Sequence, residues 1–120
     1  MNRITRINAE LRKQLALILQ GGIKDPRVKG LISVSKVDCD PDLTLAKVYV
    51  SILGAQGEEQ SVIEGLTHAE GYIKARLKDN IKLRAMPQLR FIYDDSYEYQ
   101  MKIEKLIREV HEDEQRGKEE

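Results

Sequence analysis

The chain predicts an α+β domain, with a three-stranded sheet carrying helices on one face in the order α-β-β-α-α-β, plus a C-terminal helix. Three observations carry that reading. Apolar residues recur at helical spacing near the N-terminus. Two alternating runs flank a Pro-Asp turn. A second helical stripe is interrupted by glycine before a third alternating run.

Ile4, Ile7, Leu11, Leu15 and Ile18 fall at spacings of 3, 4, 4 and 3, one face of a helix. Arg6 and Lys13 then lie opposite, with Arg3 on the flank. Gly21-Gly22 ends this helix, and Pro26 keeps the next segment out of helix. Leu31 to Asp38 is short and β-branched, with Ile32 and Val34 on one side. Asp40-Pro41-Asp42 is a turn. From Thr44 to Leu53, Ala46, Val48, Val50 and Ile52 face one way, and Lys47, Tyr49 and Ser51 the other, so the pair reads as a hairpin with one buried face.

Val62, Leu66, Ala69, Ile73 and Leu77 form the next helical stripe, with Gly71 inside it. Glycine in a helix interior costs about 1 kcal/mol relative to alanine. Its presence predicts a kink or a close backbone approach at Ala69-Glu70-Gly71. Pro87 precedes a third strand whose buried set is Leu89, Phe91 and Tyr93. Asp95 and Glu98 are placed as a capping box for a last helix with the stripe Tyr99, Ile103, Leu106 and Val110. Residues 1–110 form one domain; 111–120 read as a charged tail, a frayed helix end or disordered.

Net charge is zero over 120 residues, but only by cancellation. Residues 1–30 hold seven basic against two acidic side chains, a balance of +5; residues 72–90 hold six against one, again +5; residues 94–120 hold five against ten, −5. A polyanion partner needs basic area on one face, not a basic total. Charge alone leaves two readings open, a phosphate-facing surface or solvated faces. The candidate contacts are Arg3, Arg6, Lys13, Lys24 and Arg27 in the first block, and Lys74, Arg76, Lys78, Lys82, Arg84 and Arg90 in the second. Lys74, Lys78 and Lys82 stand at i, i+4 and i+8 and form one row if the helix runs that far. Like charges at that spacing repel, which favours an RNA-facing role for the row. Asp25-Pro26-Arg27 reads as a turn that positions the chain after the first helix, and Arg27 can equally bind phosphate or the C-terminal end of that helix.

Other chemistry finds little support. Asp38, Asp40 and Asp42 open like a calcium loop, but Leu43 stands where glycine is needed and Tyr49 where glutamate is needed. His68 and His111 are isolated. Cys39 lies between two aspartates, which raise a thiol pKa. No catalytic constellation, metal site or cofactor site is expected. Tyr72, Tyr97 and Tyr99 are placed at amphipathic core edges rather than on bases. The N-terminal residues lack the apolar run of a secretory signal, and no stretch is a membrane span, so a cytoplasmic protein is expected.

Asp25-Pro26-Arg27, Pro41-Asp42-Leu43 followed by Ala46-Lys47-Val48-Tyr49-Val50-Ser51, and Pro87-Gln88-Leu89-Arg90-Phe91 leading to Tyr93-Asp94 occur in an order and spacing that resemble the ribosome-binding factor A family. The resemblance spans roughly residues 3–110. It implies a type II KH fold in which Ala69-Glu70-Gly71 replaces the usual GXXG phosphate clamp. It further implies a monomeric, non-enzymatic assembly factor for the small (30S) ribosomal subunit. Such a factor binds the immature subunit and assists late 16S rRNA maturation, including the 5′-end region. Ribosomal proteins or assembly GTPases are further partners in that reading. A protein-interaction module with little RNA contact is the alternative.

Overall fold

The computed structural model describes residues 2–119 of the chain. Helix α1 spans Arg3–Gln20 and is capped by Asn2, whose side chain accepts from the Thr5 backbone N–H at 2.8 Å. That bond satisfies one of the helix's orphan donors. Gly21 closes the far end by donating to the Leu17 carbonyl at 3.2 Å, and Gly22 follows at a φ of +90°, a conformation that favours glycine. Leu11, Leu15 and Ile18 are buried, and Ile4 and Ile7 pack at the core margin, so the expected stripe is the buried one.

Strands β1 (Leu31–Cys39), β2 (Leu45–Leu53) and β3 (Gln88–Tyr93) form one sheet in the order β1-β2-β3. β1 and β2 are antiparallel, and β2 and β3 parallel. The parallel pair requires a long crossover, which α2 (Glu59–His68) and α3 (Glu70–Asn80) supply. Ala46, Val48, Val50 and Ile52 of β2 point into the core, as the alternation predicts. So do Leu89 and Phe91 of β3, with Tyr93 partly buried.

β1 departs from simple alternation. Its register runs Val34↔Val50 and then Lys36↔Tyr49, so Ser35 is an extra, bulged residue. The slip turns Val37 and Cys39 inward and Lys36 and Asp38 outward. Unbroken alternation from Val34 would have buried a lysine and an aspartate, which is costly without partners.

The order α-β-β-α-α-β is that of a type II KH domain. α1 lies on β1, α2 on β3, and α3 packs against α1 and α2. The outward side chains Lys36, Asp38, Lys47 and Arg90 are exposed, so the opposite face of the sheet is open at these positions. The final helix, α4 (Ser96–Glu119), departs from the one-face arrangement. Every side chain from Tyr99 to Glu114 is exposed. The molecule measures 68 × 38 × 19 Å with a radius of gyration of 18.7 Å, against about 14 Å for a compact chain of this length. The stripe Tyr99, Ile103, Leu106, Val110 exists as predicted but meets no core. Tyr72, Tyr97 and Tyr99 are likewise exposed, not at core edges: they stand on helix faces that no neighbouring element covers. The segment 111–119 continues α4. Glu120, part of the expected tail, lies outside the described residues.

Candidate nucleic-acid interface

The helix break falls at Ala69, which closes α2 and opens α3 with φ −86° and ψ 7°. The expected special role of Gly71 is not found. A Cβ placed there meets nothing within 4 Å, and its φ is not positive. The close approach belongs to Gly65, one turn before the break. A Cβ at Gly65 would stand 2.7 Å from Val28 Cγ2 and 3.1 Å from Arg27 Cβ. α2 therefore packs directly on the Asp25–Val28 segment.

That packing fixes the Asp-Pro-Arg motif. The Arg27 Nε donates to Asp25 Oδ1 at 3.0 Å and its Nη2 to Oδ2 at 2.7 Å. The Arg27 backbone N–H also donates to Asp25 Oδ1 at 3.0 Å. His68 Nδ1 stands 3.3 Å from Asp25 Oδ2. These hydrogen bonds from Arg27 hold the Asp25 carboxyl well below the usual carboxylate range. Arg27, offered from sequence as a phosphate or helix-end contact, is thus committed to a local ion pair.

Glu70 is equally occupied. Its Oε1 accepts from the Leu89 backbone N–H at 3.3 Å and lies 3.8 Å from Lys74 Nζ. It ties the start of α3 to the start of β3. The lysine row is shorter than its spacing suggests. α3 ends at Asn80, and Ile81 is extended at φ −129°, ψ 132°. Lys74 and Lys78 share the helix, but Lys82 lies beyond it.

Leaving the helix carries Lys82 to α1. A shallow cleft between the two elements is lined by Arg6, Ile7 and Glu10 of α1 and by Asn80, Ile81, Lys82 and Leu83. Here the two basic blocks, far apart in sequence, meet. Glu10 is the one acid on its walls. Arg3 lines a neighbouring hollow with Ile4, Ile7, Pro41 and Leu43. Lys13 lines a third with Arg12, Leu17 and Val34. Lys24 and Arg84 are exposed on loops, and Arg76 on α3.

Arg90 does not join this cleft. It points out from β3 beside Lys47 of β2, on the uncovered face of the sheet. Lys36 stands over the Tyr49 ring on that same face, its Nζ 5.8 Å from the ring centroid. Neither Lys36 nor Lys47 was a sequence candidate. The outward alternation of β2 was a usable signal for Lys47, whereas Lys36 depends on the bulge.

The acidic motifs have structural uses. Asp40 Oδ1 accepts from the backbone N–H groups of Thr44 at 2.7 Å and Leu45 at 3.3 Å, and its other oxygen from the Thr44 hydroxyl. These bonds lower its pKa and shape the hairpin turn, where Leu43 takes a φ of +59°. The side chain at the start of α4 is that of Asp94, not Asp95: it accepts from the Ser96 N–H at 3.0 Å and from the Ser35 hydroxyl at 2.8 Å, while Asp95 contributes its backbone carbonyl to the Tyr99 N–H at 2.9 Å. Burial, reinforced by the flanking aspartates, pushes the Cys39 thiol up.

An α+β domain of KH type, with its phosphate-clamp glycines replaced and a cationic cleft between its first helix and the end of α3, is the class these observations define. The chain belongs to the ribosome-binding factor A family: that family's profile matches residues 3–107. The chain is 44% identical to ribosome-binding factor A of Brevibacillus brevis over 108 residues, covering 90% of this chain and 88% of that relative. The crystal structure of the Thermus thermophilus factor superposes with a TM-score of 0.66 at 27% identity, over 75% of this chain and 93% of that one. A homology model of the Thermus thermophilus factor, fitted into a cryo-EM map of its complex with the 30S subunit, gives a TM-score of 0.60 at 27% identity, over 73% and 91% of the two chains.

Proposed function

We propose that the protein docks on the immature small ribosomal subunit through the cleft joining α1 to the end of α3, and assists late maturation of 16S rRNA, including its 5′-end region. The observation that carries this reading is the meeting of Arg6 and Lys82, one from each basic block, on a single surface. A relative fitted into a 30S complex supports the choice of partner. With only Ala69-Glu70-Gly71 at the helix junction and Glu70 held to Leu89 and Lys74, backbone clamping of a single strand has little to work with. Side chains that read folded RNA by phosphate position replace it.

The protein catalyses no reaction in this reading. It acts as a monomer in the cytoplasm, binding one RNA conformation more tightly than another and shifting the population by that difference in affinity. Assembly GTPases or ribosomal proteins complete the particle in which it works. Among the described residues, no helix is long and apolar enough to cross a membrane. The alternative, a protein-interaction module, is favoured by one observation only, the uncovered stripe of α4.

Co-sedimentation with immature and mature small subunits across a salt series tests the reading. Parent protein should prefer immature subunits and lose affinity steeply with salt. Changing Arg6→Ala and Lys82→Ala together should flatten the log–log slope by roughly 0.7–0.9 per lost phosphate contact. An unchanged slope would remove the cleft as the RNA contact.

A further inference from the structure

The least explained surface of the molecule is the stripe on α4. Tyr99, Ile103, Leu106, Ile107 and Val110 lie within one face at 100° per residue, and all are exposed, Leu106 at 56% and Ile107 at 61%. An amphipathic helix gains most of its stability from packing that face. Contiguous exposed apolar area on this scale marks an interaction site.

The charges around the stripe select its occupant. Asp113 and Glu114 follow it, and Glu104 and Glu109 flank it; Lys102 borders it on one side and His111 on the other, while Lys105 and Arg108 lie on the far side. RNA and anionic lipid would meet carboxylates of their own sign. A second copy fits poorly. The spacing Tyr99, Ile103, Leu106, Val110 starts like a heptad seam, but Asp113 takes the next position, well short of the three to four heptads of a coiled coil. What remains is an apolar groove with a basic rim, the helix-in-groove mode of protein recognition.

We propose that α4 is a protein-docking helix whose stripe seats in a basic-rimmed apolar groove on a protein of the small subunit, while the α1–α3 cleft faces RNA. This inference rests on the subunit docking proposed above. It divides the molecule into two contact surfaces for two chemistries.

The test uses the full chain with purified small subunits. Photoreactive benzoylphenylalanine replaces Ile107 in one preparation and Lys82 in another. The Ile107 position should crosslink to one basic subunit protein, and the Lys82 position to RNA. Leu106→Asp, placed in the Ile107 crosslinking chain, should abolish that protein adduct. On its own it should weaken co-sedimentation by at least about fivefold. The melting temperature should hold, because the side chain is already exposed. If the Lys82 position labels RNA while Ile107 labels RNA, a second copy, its own chain or nothing, the α4 proposal is overturned and the cleft reading stands. If neither position is labelled and the parent does not co-sediment, subunit docking itself fails and takes the α4 proposal with it.

Discussion

Helices α1 and α4 carry equally regular apolar stripes, but the sheet covers one and nothing described covers the other. In α1, Leu11 and Leu15 are fully buried against β1 and the core. In α4, the corresponding positions look outward for the whole described length. Periodicity therefore reports that a face needs a partner; it does not say whether the partner belongs to the same chain. The polar faces differ in the same direction. α1 presents Arg3, Arg6 and Lys13, whereas the segment containing α4 is acidic. One helix is anchored inside and offers charge outside; the other offers its apolar side.

The largest effect that would break this contrast is in the core. Leu11→Ala should cost about 2–5 kcal/mol of unfolding free energy, because it leaves a cavity at a fully buried site. Leu106→Ala should change stability by no more than about 0.5 kcal/mol. Urea denaturation of both variants checks the pair, and comparable losses would mean that α4 packs on the domain in solution.

An intermediate effect comes from the two glycines near the helix break. Gly65→Ala should destabilise by about 1–3 kcal/mol, since the new methyl would press on Val28 and Arg27. Gly71→Ala should stabilise by up to about 1 kcal/mol, as the added methyl meets open space. Thermal melts of both variants decide it; a loss at Gly71 would restore the close approach expected there from sequence.

The smallest effect is electrostatic. The Asp25 carboxyl titrates lower in the folded protein than in the unfolded chain, so it contributes stability above its unfolded pKa. That contribution fades as acid drives the pH down toward its folded value, from about pH 4 downward. Asp25→Asn should be less stable than the parent at neutral pH and converge with it in acid. Unfolding free energies measured across that range would expose the ion pair as idle if the two curves ran parallel.

Much of this was legible in the residues. The stripe of α1, the inward set of β2 and the turn at Asp40 follow from short-range patterns whose rules are local. The bulge at Ser35 was not legible, because one inserted residue resets alternation without a composition signal. The lysine row failed at Lys82 for a readable reason, since Asp79-Asn80 disfavour helix and mark its end. The turn at Asp25-Pro26-Arg27 was readable, but the ion pair that Arg27 makes inside it was not. Its acceptor stood two residues away, and Pro26 between them held the geometry. The cleft itself joins residues from opposite ends of the fold, and only the packing of α1 against α3 brings them together.

The contacts of α1 along β1 have a bearing on how the chain survives its own synthesis. Asn8 Oδ1 accepts from the Cys39 N–H at 2.9 Å, and Arg12 Nε donates to the Val34 carbonyl at 3.3 Å. Both are backbone groups of an edge strand, the kind of surface that recruits strands from other chains. Translation delivers α1 before β1. The guard is thus made before the edge it protects, and a nascent chain that forms its hairpin already holds the means to keep neighbouring nascent chains from pairing with it.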